Sequence, residues 1–440
     1  ARPAFEDERA SAIRGPGGGA PGYGTGRGGG GEIRLAPRAP PAQVPFTYMR
    51  TLLITGPGGS GRTTVAAATA LQAAREGTRT LVLSADRTDT LGTALGVRTG
   101  PAPVEAADHL TTWRPDAAER FREDLTAFQK RATTALDLLG AARLDAEEVT
   151  PLPGAEELAL LRALRDAATA GPYDLLVVDL PPTPQALALL ALPGELRRYL
   201  RRLLPPERQA ARALRPVLGR LAGVPMPSEW LYETAARWDV ELAAVEAVVE
   251  DRATTVRLVA EPGPAGADAV RGAATALALR GLRLDALVAN RVLPGAGEDT
   301  WLAALAGRQR KALDEWRDAY EVHEVRHLGS DPRGTDDLGA LAVPGAGEAG
   351  GPVVWPVTDA LADDGVLVWH IPLPGAIREE LDLLRRGDEL VVTVGPFRRI
   401  VPLPSALRRC RVAGAALREG ELRIRFTPDP GLWPQGTGAS

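Results

Sequence analysis

The sequence has one cysteine and two lysines among its 440 residues, and it contains no long apolar run. Cys410 alone excludes an intramolecular disulfide and a zinc site built from cysteines. Such sparse use of cysteine favours a reducing compartment, the cytoplasm. Because about 18 consecutive apolar residues are needed to span a membrane, no transmembrane helix is expected, and the first residues lack the apolar stretch of a signal peptide.

Acidic residues slightly outnumber basic ones, 56 against 52, and the formal net charge at pH 7 is -4. Non-specific binding of nucleic acid needs a basic surface that neutralises phosphates, so no nucleic-acid partner is expected. Hydrophobic residues make up 45% of the chain, which at this length is enough for two folded domains. Residues 1–48 are rich in Gly, Pro, Ala and Arg and are predicted to be disordered, because they offer little apolar surface to bury.

After Met49 the sequence alternates between apolar strands and helices. One helix is predicted to begin near Thr63 and to end at Gly77. Strands that are apolar on both faces, each followed by a helical segment, predict an α/β domain with a doubly wound, mostly parallel sheet. Regions 101–170 and 186–252 are rich in Leu, Ala and Arg and are predicted to be helical insertions. The predicted strands are Arg50–Thr55, Thr80–Ser84, Tyr173–Asp179, Thr255–Ala260 and Leu284–Ala289.

The hydrophobic period changes near the C-terminal end of the sequence. In Glu389–Val394 and Glu421–Thr427 apolar and polar residues alternate, which predicts strands of a small antiparallel β-sandwich. His370 and Cys410 are its only candidates for chemistry, so the sandwich is expected to serve docking or client contact. The predicted divisions are a first domain at 49–343, a Gly/Ala/Pro-rich linker at 344–356, the sandwich at 357–430 and a tail at 431–440.

The strongest motif is Gly56-Pro57-Gly58-Gly59-Ser60-Gly61-Arg62-Thr63-Thr64, between the first strand and its helix. Glycines let backbone N–H groups converge on an anion, and a helix N-terminus favours negative charge. The spacing matches the phosphate-binding loop G-x-x-x-x-G-K-[ST], with arginine at the lysine position. It predicts ATP or ADP with Mg²⁺ as cofactors and the Thr63 hydroxyl on the metal, whereas a glycine-rich turn without a ligand is the alternative. The predicted nucleotide-binding residues of this motif are Gly56, Gly58, Gly59, Ser60, Gly61, Arg62, Thr63 and Thr64.

Two aspartates follow predicted strands. Asp179 ends an apolar strand and, placed beside the loop, would hold Mg²⁺ through water. Asp86 follows Thr80–Ser84 and is a candidate to orient or deprotonate an attacking water. Aspartate also terminates strands as a turn former or caps helices. For Asp86 both interpretations stay open.

These motifs resemble those of the ArsA family, which includes the arsenite-pump ATPase and the eukaryotic ATPase that targets tail-anchored membrane proteins. His370–Gly375 and Gly387–Leu390 resemble the α-crystallin-like, small heat-shock-like domain appended to many bacterial members. The matching segments of the first domain are Gly56–Thr63 with the family's G-K-G-G-V-G-K-[ST], Ser84–Asp89 with S-T-D-P-A-H, Asp179–Gln185 with D-T-A-P-T-G-H, and Val288–Val292 with V-V-N-R-V.

The resemblance implies a role for each matching residue. Asp86 takes the place of the switch I catalytic base close to the metal, and Asp179 takes that of the switch II magnesium residue. Asn290 takes the place of the asparagine that binds the adenine edge. Arg62, at the position of the second loop lysine, is a catalytic candidate. The resemblance also implies a dimer.

The sequence departs from the family pattern in the catalytic loops. Pro57 replaces a lysine that reaches across the family's dimer, and proline brings neither a charge nor an N–H. Arg62 keeps a positive charge on a larger, planar group that is not equivalent to an ammonium. Pro184 and Gln185 replace glycine and histidine in switch II, where proline stiffens a loop that normally moves. Together the changes predict that nucleotide binding is retained and hydrolysis is weakened.

We therefore expect a slow ATPase whose nucleotide cycle controls a helical site for a protein client or a peripheral membrane partner. The alternative is a catalytically degenerate subunit that pairs with an active ArsA-type paralogue, so homodimer and heterodimer both stay open. Arsenite pumping is not expected, because Cys410 cannot supply the several cysteines that the resemblance requires. Leucines at 187–192 and 200–204 and Met226 are candidates for client contact, although core packing is favoured for the leucines.

Overall fold

The structure is a computed structural model that describes residues 49–433 except 85, 87, 132, 139–141, 205–228, 296–300 and 348–352. Residues 1–48, Met226 and most of the tail at 431–440 lie outside the described residues. Among the described residues, no helix is both long enough and apolar enough to cross a membrane.

An eight-stranded, mostly parallel sheet forms the centre of the α/β domain. Its strands are β1 (Arg50–Thr55), β2 (Thr80–Ser84), β3 (Val104–Ala107), β4 (Leu110–Trp113), β5 (Leu175–Asp179), β6 (Thr254–Ala260), β7 (Leu284–Val292) and β8 (Val322–Arg326). Their order is β3-β4-β2-β5-β1-β6-β7-β8, and the pairs are parallel except β3 with β4. This confirms the predicted fold class.

Helices cover both faces of the sheet. They are α1 (Arg62–Arg75), α2 (Thr90–Leu95), α3 (Ala117–Arg131), α4 (Thr133–Leu138), α5 (Ala155–Ala170), α6 (Thr183–Leu203), α7 (Glu229–Val249), α8 (Pro264–Arg280), α9 (Trp301–Arg317) and α10 (Gly334–Gly339). Successive residues of β1 point to opposite faces. Leu52 and Ile54 pack with α1, α2 and α10, whereas Leu53 packs with α5, α6, α8 and α9.

Three short strands of the α/β domain were not predicted. Region 101–170 was expected to be helical, and α3 to α5 agree with that, but it begins with the hairpin of β3 and β4, and β4 extends the sheet beside β2. Leu110 and Thr112 are buried while Thr111 and Trp113 are not. This period of two spans only four residues, too few for a clear sequence signal. β8 buries only Val325, so its sequence resembles a polar loop.

The C-terminal part folds as two antiparallel sheets over one core. One sheet has the order β14 (Cys410–Arg418), β15 (Glu421–Pro428), β10 (Val366–Pro372), β9 (Val357–Ala360), and the other has β11 (Leu381–Arg386), β12 (Glu389–Val394), β13 (Phe397–Pro402). A short helix, α11 (Leu361–Asp364), follows β9. The alternating side chains of β12 and β15 pack inward as predicted, with Leu422, Ile424 and Phe426 fully buried.

The α/β domain and the sandwich share a joint surface. Leu279 of α8 belongs to the sandwich core, and the Arg399 guanidinium of β13 donates to its carbonyl oxygen at 2.8 Å. The Thr275 hydroxyl of α8 donates to the Pro374 carbonyl. The sandwich therefore packs directly on α8.

The first residues of the predicted linker are attached to the sheet. The buried Arg257 guanidinium of β6 donates to the carbonyls of Pro344 and Gly345, at 2.8 and 2.6 Å. Arg50 of β1 donates to the Ala346 carbonyl at 3.0 Å. Residues up to about 347 thus behave as part of the α/β domain, while the exact domain limits stay a prediction.

Candidate nucleotide site

The loop between β1 and α1 has the backbone of an anion cradle. Gly59 and Gly61 adopt left-handed φ angles of 78° and 86°, which side chains other than glycine rarely tolerate. Gly61 is the N-cap residue of α1, and no side chain accepts a hydrogen bond there. The first N–H groups of the helix consequently remain available for an anion.

The four glycines of the loop serve two different purposes. A Cβ atom on Gly56 would lie 1.9 Å from the Val259 carbonyl oxygen, and one on Gly61 would lie 2.2 Å from Nδ2 of Asn290. These two glycines are needed for close packing. Gly58 and Gly59 have nothing within 4 Å of such a Cβ, so they border open space. That space is where a phosphate would fit.

A buried carboxylate faces the start of α1. The Thr63 hydroxyl donates to Oδ2 of Asp179 at 2.9 Å, and the Ser84 hydroxyl donates to the same oxygen at 3.0 Å. Burial raises the pKa of Asp179 to about 6, although the two hydroxyls and Arg62 act in the opposite direction. The structure thus brings together two of the three predicted magnesium residues, Thr63 and Asp179, whereas the carboxylate of the third, Asp86, bonds to Thr88 and Thr90. Ser84 was quoted in a motif but not predicted to contact the site.

Arg62 is directed towards the segment that follows Asp179. Its Nη1 donates to the Leu180 carbonyl at 2.6 Å, one residue after Asp179. Burial lowers the pKa of Arg62, while Asp179 and Asp86 raise it. The same segment is tied to the loop by the backbone, because Thr183 N–H donates to the Gly56 carbonyl at 3.1 Å.

Asp86 follows the end of β2, and both of its carboxylate oxygens accept hydrogen bonds. Oδ1 accepts from the N–H and the hydroxyl of Thr88, at 2.9 and 2.8 Å, and Oδ2 accepts from the Thr90 hydroxyl. Burial by itself would raise the pKa of Asp86, but these hydrogen bonds and Arg114 outweigh it and the pKa is lowered. The carboxylate is therefore a weak proton acceptor in this arrangement.

Asn290 packs on the loop from the end of β7. Its Nδ2 donates to the Ser60 carbonyl at 2.7 Å, and its side chain is buried. The neighbouring Arg291 donates to the Gly59 carbonyl at 2.9 Å and to Glu261 at 2.6 Å. Both side chains hold the loop in place. The contact of Asn290 with adenine stays a prediction.

A narrow cleft opens beside Asn290, between the first turn of α1 and the loop after β8. It is lined by Thr64, Asn290, Leu328, Asp331 and neighbouring residues of 326–332. Sequence reasoning did not include this loop, whose Gly329 and Pro332 mark only a turn. Within the described ranges, no group of three or more His, Cys, Asp and Glu side chains is arranged to hold a metal ion.

The glycine loop lies between a parallel strand and a helix, and it faces a buried aspartate on the neighbouring strand of the sheet, β5. This arrangement defines the P-loop nucleotide-binding class. Within that class the chain belongs to the ArsA family. Residues 49–342 match the family model described as an anion-transporting ATPase, and residues 364–426 match the HSP20-like domain found in ArsA.

Curated relatives are similar to this chain over different shares of its length. An uncharacterized protein of Streptomyces coelicolor is 74% identical over 389 residues, which are 88% of this chain and 100% of the relative. A putative arsenical pump-driving ATPase of Chlorobaculum tepidum is 28% identical over 388 residues, 86% of this chain and 96% of the relative. The ATPase GET3 of Ajellomyces dermatitidis is 25% identical over 179 residues, 40% of this chain and 52% of the relative. The similarity to the first two relatives therefore spans both domains.

Proposed function

We propose that this chain binds Mg²⁺-nucleotide at Gly56–Thr64, hydrolyses ATP slowly by itself, and uses its nucleotide state to control a helical site for a client or partner. The observation that carries the proposal is the hydrogen bond from Arg62 to the Leu180 carbonyl, 2.6 Å long. It engages the charge of the loop in a contact with switch II. This contact supports a weak transition-state role for Arg62, whereas nucleotide binding is supported by the backbone of the loop and by the pairing of Thr63 with Asp179.

Binding is supported by groups that do not depend on the lysine-to-arginine change. The left-handed Gly59 and Gly61 and the uncapped start of α1 supply backbone N–H donors. The Thr63 hydroxyl and the Asp179 carboxylate form the oxygen donor set that Mg²⁺ prefers. A bound Mg²⁺ would neutralise charge on the phosphates. The base would lie beside Asn290 and the 326–332 loop, where the cleft of about 30 Å³ has to widen to admit it.

Slow turnover is supported by three side chains. Pro57 offers no cation, and Arg62 is the only charged residue of the loop. A guanidinium that donates to a backbone carbonyl has fewer donors left for charge that develops in the transition state. Asp86, the proposed base, has a lowered pKa, whereas a base works best with a pKa near the working pH.

The helical site is proposed at the C-terminal end of α6. The leucines at 187, 189 and 190 are buried in the core, so they are not client contacts. Tyr199 and Leu203 are 54% and 77% exposed. An exposed aromatic and leucine pair at one end of a helix suits an apolar partner surface.

Pro57 favours a second candidate function, a degenerate subunit that pairs with an active ArsA-type paralogue. A paralogue with a lysine at that position would supply the missing charge across a dimer. Turnover measured with and without the paralogue separates the two functions, because only the second requires the mixture to exceed the sum of its parts. In both cases we propose a cytoplasmic dimer.

Nucleotide binding is tested with Gly58→Ala. The added methyl enters open space next to the backbone donors, so the fold should tolerate it while the phosphate loses room. Calorimetry with Mg-ADP should show at least tenfold weaker binding at unchanged stability. Wild type at about 100 times its Kd should gain roughly 2.7 kcal/mol of unfolding free energy.

Gly272→Ala is the matched control. Gly272 lies in α8, also with nothing within 4 Å of its Cβ position, and alanine favours a helix by about 1 kcal/mol. This variant should bind nucleotide like wild type. If Mg-ADP and Mg-ATP bind neither wild type nor Gly272→Ala, the proposed site is wrong. It is also wrong if they bind Gly58→Ala as tightly as wild type.

A further inference from the structure

A large cleft separates α6, α7 and α8 from β11 to β13 of the sandwich. Its volume is about 710 Å³, within the range of small-molecule sites. We call it the interdomain cleft. Its lining includes six arginines but three glutamates, so positive charge predominates. The arginines are Arg198, Arg202, Arg280, Arg386, Arg398 and Arg399.

Several of these charges are already paired. Arg198 and Arg202 donate to Glu389, at 3.0 and 3.1 Å. Among the lining glutamates, Glu246 is occupied by Arg197, which does not line the cleft. Among the described residues that line the cleft, the acids left for the other four arginines are Glu195 and Glu250. The cleft therefore retains a positive excess after the pairs are counted.

Arg280 is a deep arginine with weak charge compensation. Its side chain is only 17% exposed, and its ion-pair contact among the described residues is with Glu195 at 4.0 Å, a residue that is itself 55% exposed. Burial lowers the pKa of Arg280. A buried guanidinium without close acceptors is costly unless another group supplies them.

Arg399 lies next to Arg280 and adds a second cation. Its guanidinium donates to the Leu279 carbonyl and lies 5.1 Å from the centre of the Trp355 ring. Burial lowers the pKa of Arg399, Glu250 opposes this, and Arg280 lowers it further. Both guanidinium groups thus border the same wall of the cleft.

The rest of the lining is apolar. Leu190 and Val249 come from α6 and α7, Leu282 follows α8, and Ile400 belongs to β13. The same wall continues past Arg280 and Arg399 into a second recess of about 400 Å³. An occupant that fits this lining combines an anionic group with an apolar body.

We propose that the interdomain cleft binds an amphipathic phosphate monoester, with the phosphate between Arg280 and Arg399 and the apolar body against Leu190, Val249 and Leu282. A phosphate monoester carries a charge of about -1.5 to -2 at pH 7, which matches two guanidinium groups better than a carboxylate does. Arginine also pairs with phosphate through two parallel hydrogen bonds. The ligand comes either from solution or from the headgroup of a membrane lipid.

The test uses octyl phosphate as the probe and the full chain in saturating Mg-ADP, which keeps the probe out of the Gly56–Gly61 loop. Inorganic phosphate and 1-octanol are the reference ligands. Calorimetry should give one octyl phosphate per chain, bound at least tenfold more tightly than either reference. Equal affinity for octyl phosphate and inorganic phosphate would overturn the proposal.

Variants locate the probe. Arg280→Gln should weaken octyl phosphate at least tenfold, since hydrogen bonds to charged groups are strong. Arg398→Gln, at an exposed position of β13, should weaken it less. Arg411→Gln, an exposed arginine paired with Asp429 away from the cleft, should have no effect. Unchanged affinity in a folded Arg280→Gln protein would refute the site. The comparison holds whether or not the loop binds nucleotide.

Vesicles distinguish the two sources of the phosphate. Wild type that sediments with phosphatidate vesicles but not with phosphatidylcholine vesicles, and loses this in Arg280→Gln, takes the group from a membrane lipid. Binding of octyl phosphate without vesicle binding identifies a soluble ligand. The proposal would be overturned if Arg280→Gln still bound the vesicles and octyl phosphate bound to neither wild type nor the variant. Lipid contact would then lie elsewhere on the protein.

Discussion

At the scale of single residues, the charge of the phosphate loop depends on Arg62, because Pro57 contributes none. The Arg62 guanidinium is planar and donates to switch II. Lysine at both positions would put two flexible ammonium groups in the loop instead. We predict that Pro57→Lys combined with Arg62→Lys raises ATP turnover by on the order of 10², the usual value of one well-placed donor. Steady-state phosphate release measures it.

Arg75→Lys is the control for this double variant, since Arg75 lies in the last turn of α1 and donates to the Thr335 carbonyl. Its turnover should equal that of wild type. A wild-type rate equal to that of an active family member, with a lower rate in the double variant, would contradict slow hydrolysis.

Asp179 makes stability depend on pH in the nucleotide-free, metal-free protein. Its pKa is raised from 3.8 to about 6 by burial, so between these values the folded state binds a proton that the unfolded state does not. Stability from this group is therefore present at low pH and is lost as pH rises through 6. Between pH 5 and pH 8 the loss is about 1.4 kcal/mol. Asp179→Asn should remove this dependence, as measured by urea unfolding in EDTA.

Asp174→Asn is the control, because the pKa of Asp174 is shifted in the opposite direction. The hydrogen bond from Arg79 lowers its pKa, so its contribution is constant above pH 5 and falls only in stronger acid. Asp174→Asn should leave the difference between pH 5 and pH 8 unchanged. If Asp179→Asn also leaves it unchanged, the carboxylate is not buried in the way described.

At the scale of elements, contiguous motifs were predictable and contacts made by folding were not. β1, β2 and β12 have the predicted limits, because each combines a clear hydrophobic period with a turn or a glycine loop beside it. Ser84 and the 326–332 loop meet the site only because β2 and β8 bring distant segments to the same edge of the sheet. A single sequence does not encode that proximity in any local pattern.

The ion pairs between α6 and β12 can be tested by reversing the charge of Glu389. Glu389 accepts from Arg198 and Arg202, so Glu389→Arg would place three cations together. Because the pair is partly exposed, we predict a loss of about 1 kcal/mol of unfolding free energy, with faster hydrogen exchange in β11 to β13. Asp363→Arg, at an exposed position of α11, should change neither. Equal rates of hydrogen exchange in Glu389→Arg and Asp363→Arg would show that the ion pairs of Glu389 do not hold the sandwich against α6.

At the scale of the whole molecule, the sandwich is proposed to recruit partners and not to take part in nucleotide binding. Its candidate chemical groups are already engaged: Cys410 is buried, and His370 lies between Thr358 and Glu421 at 3.0 and 3.1 Å. The phosphate loop is built from the α/β domain. The two activities should therefore be separable.

We predict that a chain ending after Gly347 keeps its nucleotide affinity within about twofold and loses the partner association that the sandwich provides, while the proposed client site on α6 is retained. Ending there keeps the carbonyls that Arg257 and Arg50 hold. Thermal stability should fall, because Leu279, now 1% exposed, would face solvent and burial of a leucine contributes about 2 kcal/mol. Calorimetry and pull-down measure the two activities. Loss of nucleotide binding in a folded truncated chain would show that the sandwich contributes to the site.

One helix, α6, runs from the phosphate loop to the interdomain cleft. α6 has 21 residues, about 30 Å of helix. It starts at Thr183, bonded to the phosphate loop, and its C-terminal half borders the interdomain cleft and binds Glu389. Thermodynamic linkage then sets a strict relation: the factor by which nucleotide changes the affinity for a cleft ligand equals the factor by which that ligand changes the affinity for nucleotide. Two titrations, each repeated with and without the other ligand, measure the same coupling free energy from opposite ends of α6.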